Sequence, residues 1–243
     1  MKKSLFIVRE NKMLVNSIYN LSLEGDTSDI KAPGQFVNIE LEGFYLRRPL
    51  SVCDWEDGKL TVIYKVVGNG TEALSLKSEG TRLDLLTGLG NGYDLTVSGD
   101  KPLLIGGGAG VPPLYGLAKR LIKKGSRPTV ILGFNTEGEV FLENEFKALG
   151  IKTLVTTVDG SKGIKGFAAA ALPETEYTYV YTCGPEPMLK AVYNSTETPG
   201  QFSFEERMGC GFGACMGCSC KTKYGYKRIC REGPVLCKEE IVW

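Results

Sequence analysis

Histidine is absent from all 243 residues. That removes the commonest general base and the commonest zinc ligand. Ser-His-Asp and Cys-His hydrolase chemistry is excluded, so any reaction must come from a bound cofactor, from cysteine or from carboxylates. Net charge is nearly absent too: 29 Lys and Arg stand against 28 Asp and Glu, leaving +1. Nothing in that balance suggests nucleic acid, or a membrane surface held by bulk charge. Long apolar runs are also missing. The run in "MKKSLFIVRE" ends at Arg9, short of the roughly 7–15 residues of a signal-peptide core. No stretch reaches the roughly 18 apolar residues of a membrane span. A cytoplasmic chain is expected, with neither membrane nor nucleic acid among its partners. There, clustered cysteines are metal ligands or redox groups more often than structural disulfides.

Cysteine is what the sequence does have. Five of its eight cysteines fall in "CGFGACMGCSCKTKYGYKRIC", from Cys210 to Cys230. Cys210, Cys215 and Cys218 follow C-x4-C-x2-C, and Cys230 stands apart further on, which is the plant-type [2Fe–2S] spacing. Three thiolates on one loop must wrap a small inorganic core, and the interspersed glycines allow the backbone to come close. A structural zinc is the alternative, although such sites usually pair two C-x2-C knuckles and only one is present. Cys220, two residues past a candidate ligand, could substitute for Cys218 or be a bystander. Cys53 and Cys183 lie in apolar β contexts and read as buried, inert thiols.

The texture of the chain changes twice. Segments 3–11, 13–23, 34–41, 47–55 and 59–67 are short β-rich runs separated by turn residues, with a short helix at 70–78. They predict an antiparallel barrel or sandwich over 1–98. From 99 to 206 strands alternate with helices, which predicts a mostly parallel sheet, with 200–206 as its last strand. From 207 to 243 glycine and cysteine dominate. The expected fold is therefore multidomain α+β: an antiparallel β-barrel, then an α/β nucleotide-binding domain, then a small C-terminal iron–sulfur module.

Within the α/β part, "LLIGGGAGVPP" follows a strand and opens a helix. Gly106, Gly107, Gly108 and Gly110 leave backbone N–H groups open to a pyrophosphate, though a tight strand-to-helix connection would read the same way. "YTCGPEPML" offers a second glycine turn at the carboxyl end of a later strand, where ligands of open α/β sheets bind. Glu137 and Glu139 follow the second strand with no nearby Lys or Arg to meet a 2′-phosphate, which favours NAD over NADP. In the barrel, "RRPLS" and "VVGNGT" could together grip a pyrophosphate, with Arg48 as the bidentate partner. An Arg–Pro pair on a β edge has no such meaning by itself. A hydride carrier delivers two electrons together and an iron–sulfur centre takes one, so a flavin between them is required.

These residues resemble the ferredoxin reductase superfamily, in which a flavin-binding barrel precedes a nicotinamide-binding domain. The resemblance implies FAD contacts at Arg48, Pro49, Leu50 and Ser51, at Ile63, Tyr64 and Lys65, and at Gly70 and Thr71. It implies nicotinamide near Cys183, Gly184 and Pro185. Over essentially the whole chain, and most specifically in "EERMGCGFGACMGCSC" and "YKRICREGPV", the sequence resembles the electron-transfer subunits of dihydroorotate dehydrogenase B. That narrower likeness implies a [2Fe–2S] cluster on Cys210, Cys215, Cys218 and Cys230. It also implies an FMN-containing catalytic subunit as partner, two copies of each, and electron flow from FMN through the cluster and FAD to NAD+ in pyrimidine biosynthesis. Two residues depart from the pattern: Gly88, where relatives often carry proline, and Cys220, where a small aliphatic residue is usual. A reductase subunit of a ferredoxin:NADP oxidoreductase or hydrogenase complex is the alternative, and a zinc-stabilised binding protein is a third.

Overall fold

The computed structural model describes residues 1–243. Six strands close an antiparallel barrel: β1 (Lys2–Val15), β2 (Ile18–Glu24), β3 (Phe36–Ile39), β4 (Arg48–Glu56), β5 (Lys59–Lys65) and β6 (Arg82–Leu89), in the order β1-β2-β5-β4-β3-β6. Helix α1 (Asn69–Ser75) lies between β5 and β6. Closure leaves no unpaired edge, and alternate residues such as Val37, Ile39, Val62, Leu83 and Leu85 fill the interior.

The barrel differs from expectation in two places. Segment 13–23 is two strands, because Asn16 and Ser17 form a tight turn that pairs Val15 with Ile18. Ser17 takes the left-handed conformation there, φ 61°, as a two-residue hairpin loop demands. The closing strand β6 was not expected at all. Its residues alternate cleanly, with Leu83, Leu85, Thr87 and Leu89 buried, but Asp84 and Gly88 dilute the β signal.

The second half is a seven-stranded sheet. Its elements are β7 (Pro102–Gly107), α2 (Pro112–Lys123), β8 (Thr129–Phe134), α3 (Glu143–Ala148), β9 (Lys152–Thr157), β10 (Ile164–Lys165), β11 (Tyr179–Cys183), α4 (Glu186–Ser195) and β12 (Gly200–Ser203). Residues 168–174 form a tight 3-10 turn. Strand order is β10-β9-β8-β7-β11-β12, with a late strand from the C-terminal segment outside β12. After β12 the chain makes the cysteine loop and a hairpin, β13 (Ser219–Thr222) and β14 (Gly225–Arg228). It then returns as β15 (Val235–Cys237), antiparallel to β12. The strand at 200–203 is therefore not the last: an apolar Val235–Leu236 pair completes the sheet edge after the cysteines.

Barrel and sheet share a core. Ile18, Cys53 and Ile63 of the barrel pack in one buried cluster with Leu114, Leu117 and Leu121 of α2. Above it, Asp54 on β4 accepts hydrogen bonds from Lys119 and from Arg120 (3.1 Å) on α2. The Arg120 guanidinium also lies 3.3 Å from the centre of the Trp55 ring.

Candidate functional site

Strand order reverses at β7. Its successors β8 and β9 lie on one side and β11 and β12 on the other, so the carboxyl ends of β7 and β11 form the switch point where open α/β sheets bind ligands. Both glycine turns singled out in the sequence end there. Gly106 and Gly107 are the buried end of β7. A Cβ on Gly110 would lie 2.3 Å from the Cys183 carbonyl oxygen and 2.5 Å from the Gly184 nitrogen. Gly110 therefore serves close packing of the two turns. Gly108, by contrast, has open space where its Cβ would be. Burial pushes the Cys183 thiol up to about 12, which leaves it neutral and apolar in character.

A cleft of about 580 Å³ opens over this switch point. Gly107, Gly108 and Ala109 line it, as do Pro185 and Met188 around the start of α4, Phe134 at the end of β8, and Asn135 and Glu139 just beyond it. The opposite wall comes from the barrel: Asn16, Ile18 and Lys65. Sequence reasoning missed Asn16 and Ile18, because the hairpin that carries them to the cleft was itself unread. Of the two acidic residues after β8, only Glu139 lines the cleft. Its carboxylate accepts from the Asn135 backbone N–H (3.1 Å) and side-chain amide (2.9 Å). The Glu137 backbone N–H donates to Ser161, and its side chain is exposed.

The barrel brings distant motif pieces together. A Cβ on Gly70 would lie 1.9 Å from Arg48 Nε, so the guanidinium lies directly against the start of α1. Arg48 also sits over the Phe44 ring, 4.8 Å from its centre, and donates to the Leu46 carbonyl (2.6 Å). Its neighbour Arg47 is engaged by the carboxylates of Glu40 and Asp84. Of the two arginines, Arg48 is the one whose bidentate face is available to a phosphate. The Thr71 hydroxyl is occupied by its own loop, accepting from the Val67 and Gly68 N–H groups and donating to the Gly68 carbonyl. Pro49, Leu50 and Ser51 pair across the ladder with Asn38, Val37 and Phe36. On β5, Ile63 belongs to the core shared with the sheet, and Tyr64 packs in the barrel and donates to Asn11 (3.1 Å). Only Lys65 of that trio lines the cleft.

The cysteine loop is held at its start and again at Gly213. Arg228 donates to the Gly213 carbonyl (2.7 Å) and the Asn38 amide to the Cys210 carbonyl (3.2 Å). The β13–β14 hairpin pairs Ser219 with Arg228, which returns Cys230 to Cys218. The Cys230 N–H donates to Cys218 Sγ at 3.4 Å. Cys210 Sγ accepts from the N–H groups of Ala214 (3.2 Å) and Cys215 (3.4 Å). The backbone N–H of Cys215 thus approaches the Cys210 sulfur, and that of Cys230 the Cys218 sulfur. Four cysteines, three on one C-x4-C-x2-C loop and the fourth brought back by the hairpin, suit a two-iron core better than the paired C-x2-C knuckles of a structural zinc.

Burial alone would raise the Cys210 thiol. The N–H groups of Cys215, Phe212 and Ala214 outweigh it and bring the thiol down to about 6. Cys230 is pushed up to about 12, by burial first and then by its Cys218 neighbour. Cys215 is exposed, with Phe212 and Met216 exposed beside it, whereas Cys218 and Cys230 are buried. Cys220 lines a different, smaller cavity with Phe204 and Trp243. Cys237 lies at the far sheet edge, on β15.

Residues 205–242 match the family described as the iron–sulfur cluster binding domain of dihydroorotate dehydrogenase B. Residues 104–194 match the oxidoreductase NAD-binding domain. The chain is 44% identical to the dihydroorotate dehydrogenase B (NAD+) electron transfer subunit of Bacillus pumilus, over 99% of this chain and 98% of that protein. It is 41% identical to the subunit of the same name from Fusobacterium nucleatum, over 96% of each. Among solved structures, the NADH-dependent reduced ferredoxin-NADP oxidoreductase superposes with a TM-score of 0.88 at 30% identity, over 98% of this chain and 90% of that one. A ferredoxin NADP+ reductase from Neisseria gonorrhoeae with bound FAD and NADP shares the fold, with a TM-score of 0.69 at 16% identity, over 80% of this chain and 90% of that one.

Proposed function

Because the chain belongs to the family of dihydroorotate dehydrogenase B (NAD+) electron transfer subunits, we propose that it carries electrons from a dihydroorotate-oxidising, FMN-containing catalytic subunit to NAD+ in pyrimidine biosynthesis, in an assembly of two copies of each subunit. Its own cofactors are FAD, a [2Fe–2S] cluster and NAD. When bound, the flavin exchanges two electrons with the nicotinamide and single electrons with the cluster.

The chain's residues hold and separate these groups. Residues 1–98 form the flavin unit, with Arg48 against Gly70 as the phosphate grip and Pro49, Leu50, Ser51 and Lys65 along the ring site. Residues 99–206 form the nicotinamide unit. There Gly108 opens the cleft, the Cys183–Gly184–Pro185 turn borders it, and Glu139 accepts from a ribose hydroxyl and repels a 2′-phosphate. Residues 207–243 form the cluster unit, with Cys210, Cys215, Cys218 and Cys230 as ligands. The cofactors inferred here move electrons, and the relatives are named electron transfer subunits, so the dihydroorotate chemistry is assigned to the partner.

The observation that carries this reading is the packing of the Cys210–Cys218 loop and Cys230 against both the barrel and the sheet, with backbone N–H groups donating to the Cys210 and Cys218 sulfurs. The test is an assay of this chain alone, the FMN subunit alone, and both together. The chain alone should reduce dyes with NADH and leave dihydroorotate untouched, and the mixture should couple orotate formation to NAD+ reduction. Orotate formation by this chain alone would overturn the assignment. Failure of the fully loaded mixture to reduce NAD+ would favour a ferredoxin-linked partner, as the 30% identical oxidoreductase suggests.

A further inference from the structure

Asn38 sits in the middle of β3, between strands β4 and β6, and is 1% exposed. Its neighbours Val37 and Ile39 fill the barrel interior, so alternation turns Asn38 outward, on the face shared by Pro49 directly opposite and by Phe36 and Ser51. That face meets the cysteine loop: Phe36 packs in one cluster with Cys218, Ile229 and Cys230. Asn38 Nδ2 donates to the Cys210 carbonyl at 3.2 Å. Gly211 adopts φ +77°, and a Cβ there would lie 2.4 Å from the same nitrogen. The loop is thus shaped to receive this amide. The other amide atom, Oδ1, is buried with no partner. A barrel selected for stability alone would carry an aliphatic side chain here, since an unpaired buried acceptor is unfavourable.

We propose that Asn38 is a positioning residue that fixes Cys210 to the strand that carries Arg48–Ser51. The inference rests on the reading of Cys210 as a cluster ligand and of β4 as the flavin strand. Asn38 touches neither reacting group. It acts on both through the backbone: Pro49 is its cross-strand partner on one side, and the Cys210 carbonyl is its hydrogen-bond acceptor on the other. Supporting partners of this kind orient ligands and tune the centre they hold.

The test uses the chain purified with FAD and cluster in place. Asn38→Asp keeps the size and removes the donor, and Asn38→Leu removes both polar atoms. Either should broaden and shift the electron paramagnetic resonance of the reduced cluster. In rapid mixing with NADH, the phase reporting cluster reduction should slow about tenfold relative to the flavin phase. Asn91 also tethers the C-terminal segment, through the Glu232 and Val235 carbonyls, but at no cysteine. Asn91→Ala should lower thermal stability and leave the resonance unchanged, which separates positioning from general loosening. Should the Leu variant fail to fold, the Asp variant gives the same reading. A wild-type chain without a two-iron signal refutes the underlying assignment and the proposal with it. A wild-type signal that neither substitution moves, with an unchanged ratio of the two phases, refutes the proposal alone.

Discussion

Single side chains divide here into those turned toward ligands and those already engaged. Arg47 and Arg48 are adjacent, yet only Arg48 lacks a carboxylate partner. Arg48→Ala should weaken FAD retention by about 1.5–3 kcal/mol, the value of a hydrogen bond to a charged group, whereas Arg47→Ala should cost fold stability first. Flavin release during gel filtration, set beside a thermal melt, distinguishes the two. Serine in place of Cys210, Cys215, Cys218 or Cys230 should abolish the visible iron–sulfur absorbance, and Cys220→Ser and Cys237→Ser should leave it. Loss of colour in Cys220→Ser but not in Cys218→Ser would reassign the ligands. Glu139→Gln should reduce the preference for NADH over NADPH, measured as a ratio of kcat/KM values. Glu137→Gln should not, because only Glu139 lines the cleft.

At the scale of elements, the contact between the β7 and β11 turns is the most demanding. Gly110→Ala inserts a methyl group 2.3 Å from the Cys183 carbonyl oxygen. Overpacking of that kind costs about 1–3 kcal/mol, so a lower melting temperature and weaker NAD binding by calorimetry are expected together. Both turns were legible in the sequence, because glycine after an apolar strand is a strong local signal. Their contact was not, since it depends on strand order. β6 went unread for a local reason: Arg82–Leu89 alternates, but its leucines are strong helix formers and blur the strand signal. Asn38 is hidden for the non-local reason: it is a polar residue inside an apolar strand, and its partner Cys210 lies far along the chain. The cysteine spacing was readable because ligand loops are local. The distance from Cys218 to Cys230 acquires its reason only from the β13–β14 hairpin that spans it.

Across the whole molecule, barrel and sheet are joined by one buried cluster and by the Asp54–Lys119–Arg120 contacts. They should therefore unfold together, with calorimetric and van't Hoff enthalpies agreeing. Asp54→Ala should lower that transition, leaving Lys119 and Arg120 without their shared acceptor. Two resolved transitions in the wild-type chain would contradict the shared core.

The cysteine loop leaves the sheet at β12 and rejoins it at β15, its immediate neighbour. Both ends of the excursion are thus anchored by backbone pairing that involves no thiol. The cluster-free chain should therefore keep its sheet and take up iron and sulfide afterwards, as a late insertion into a finished scaffold, which far-UV circular dichroism before and after reconstitution checks.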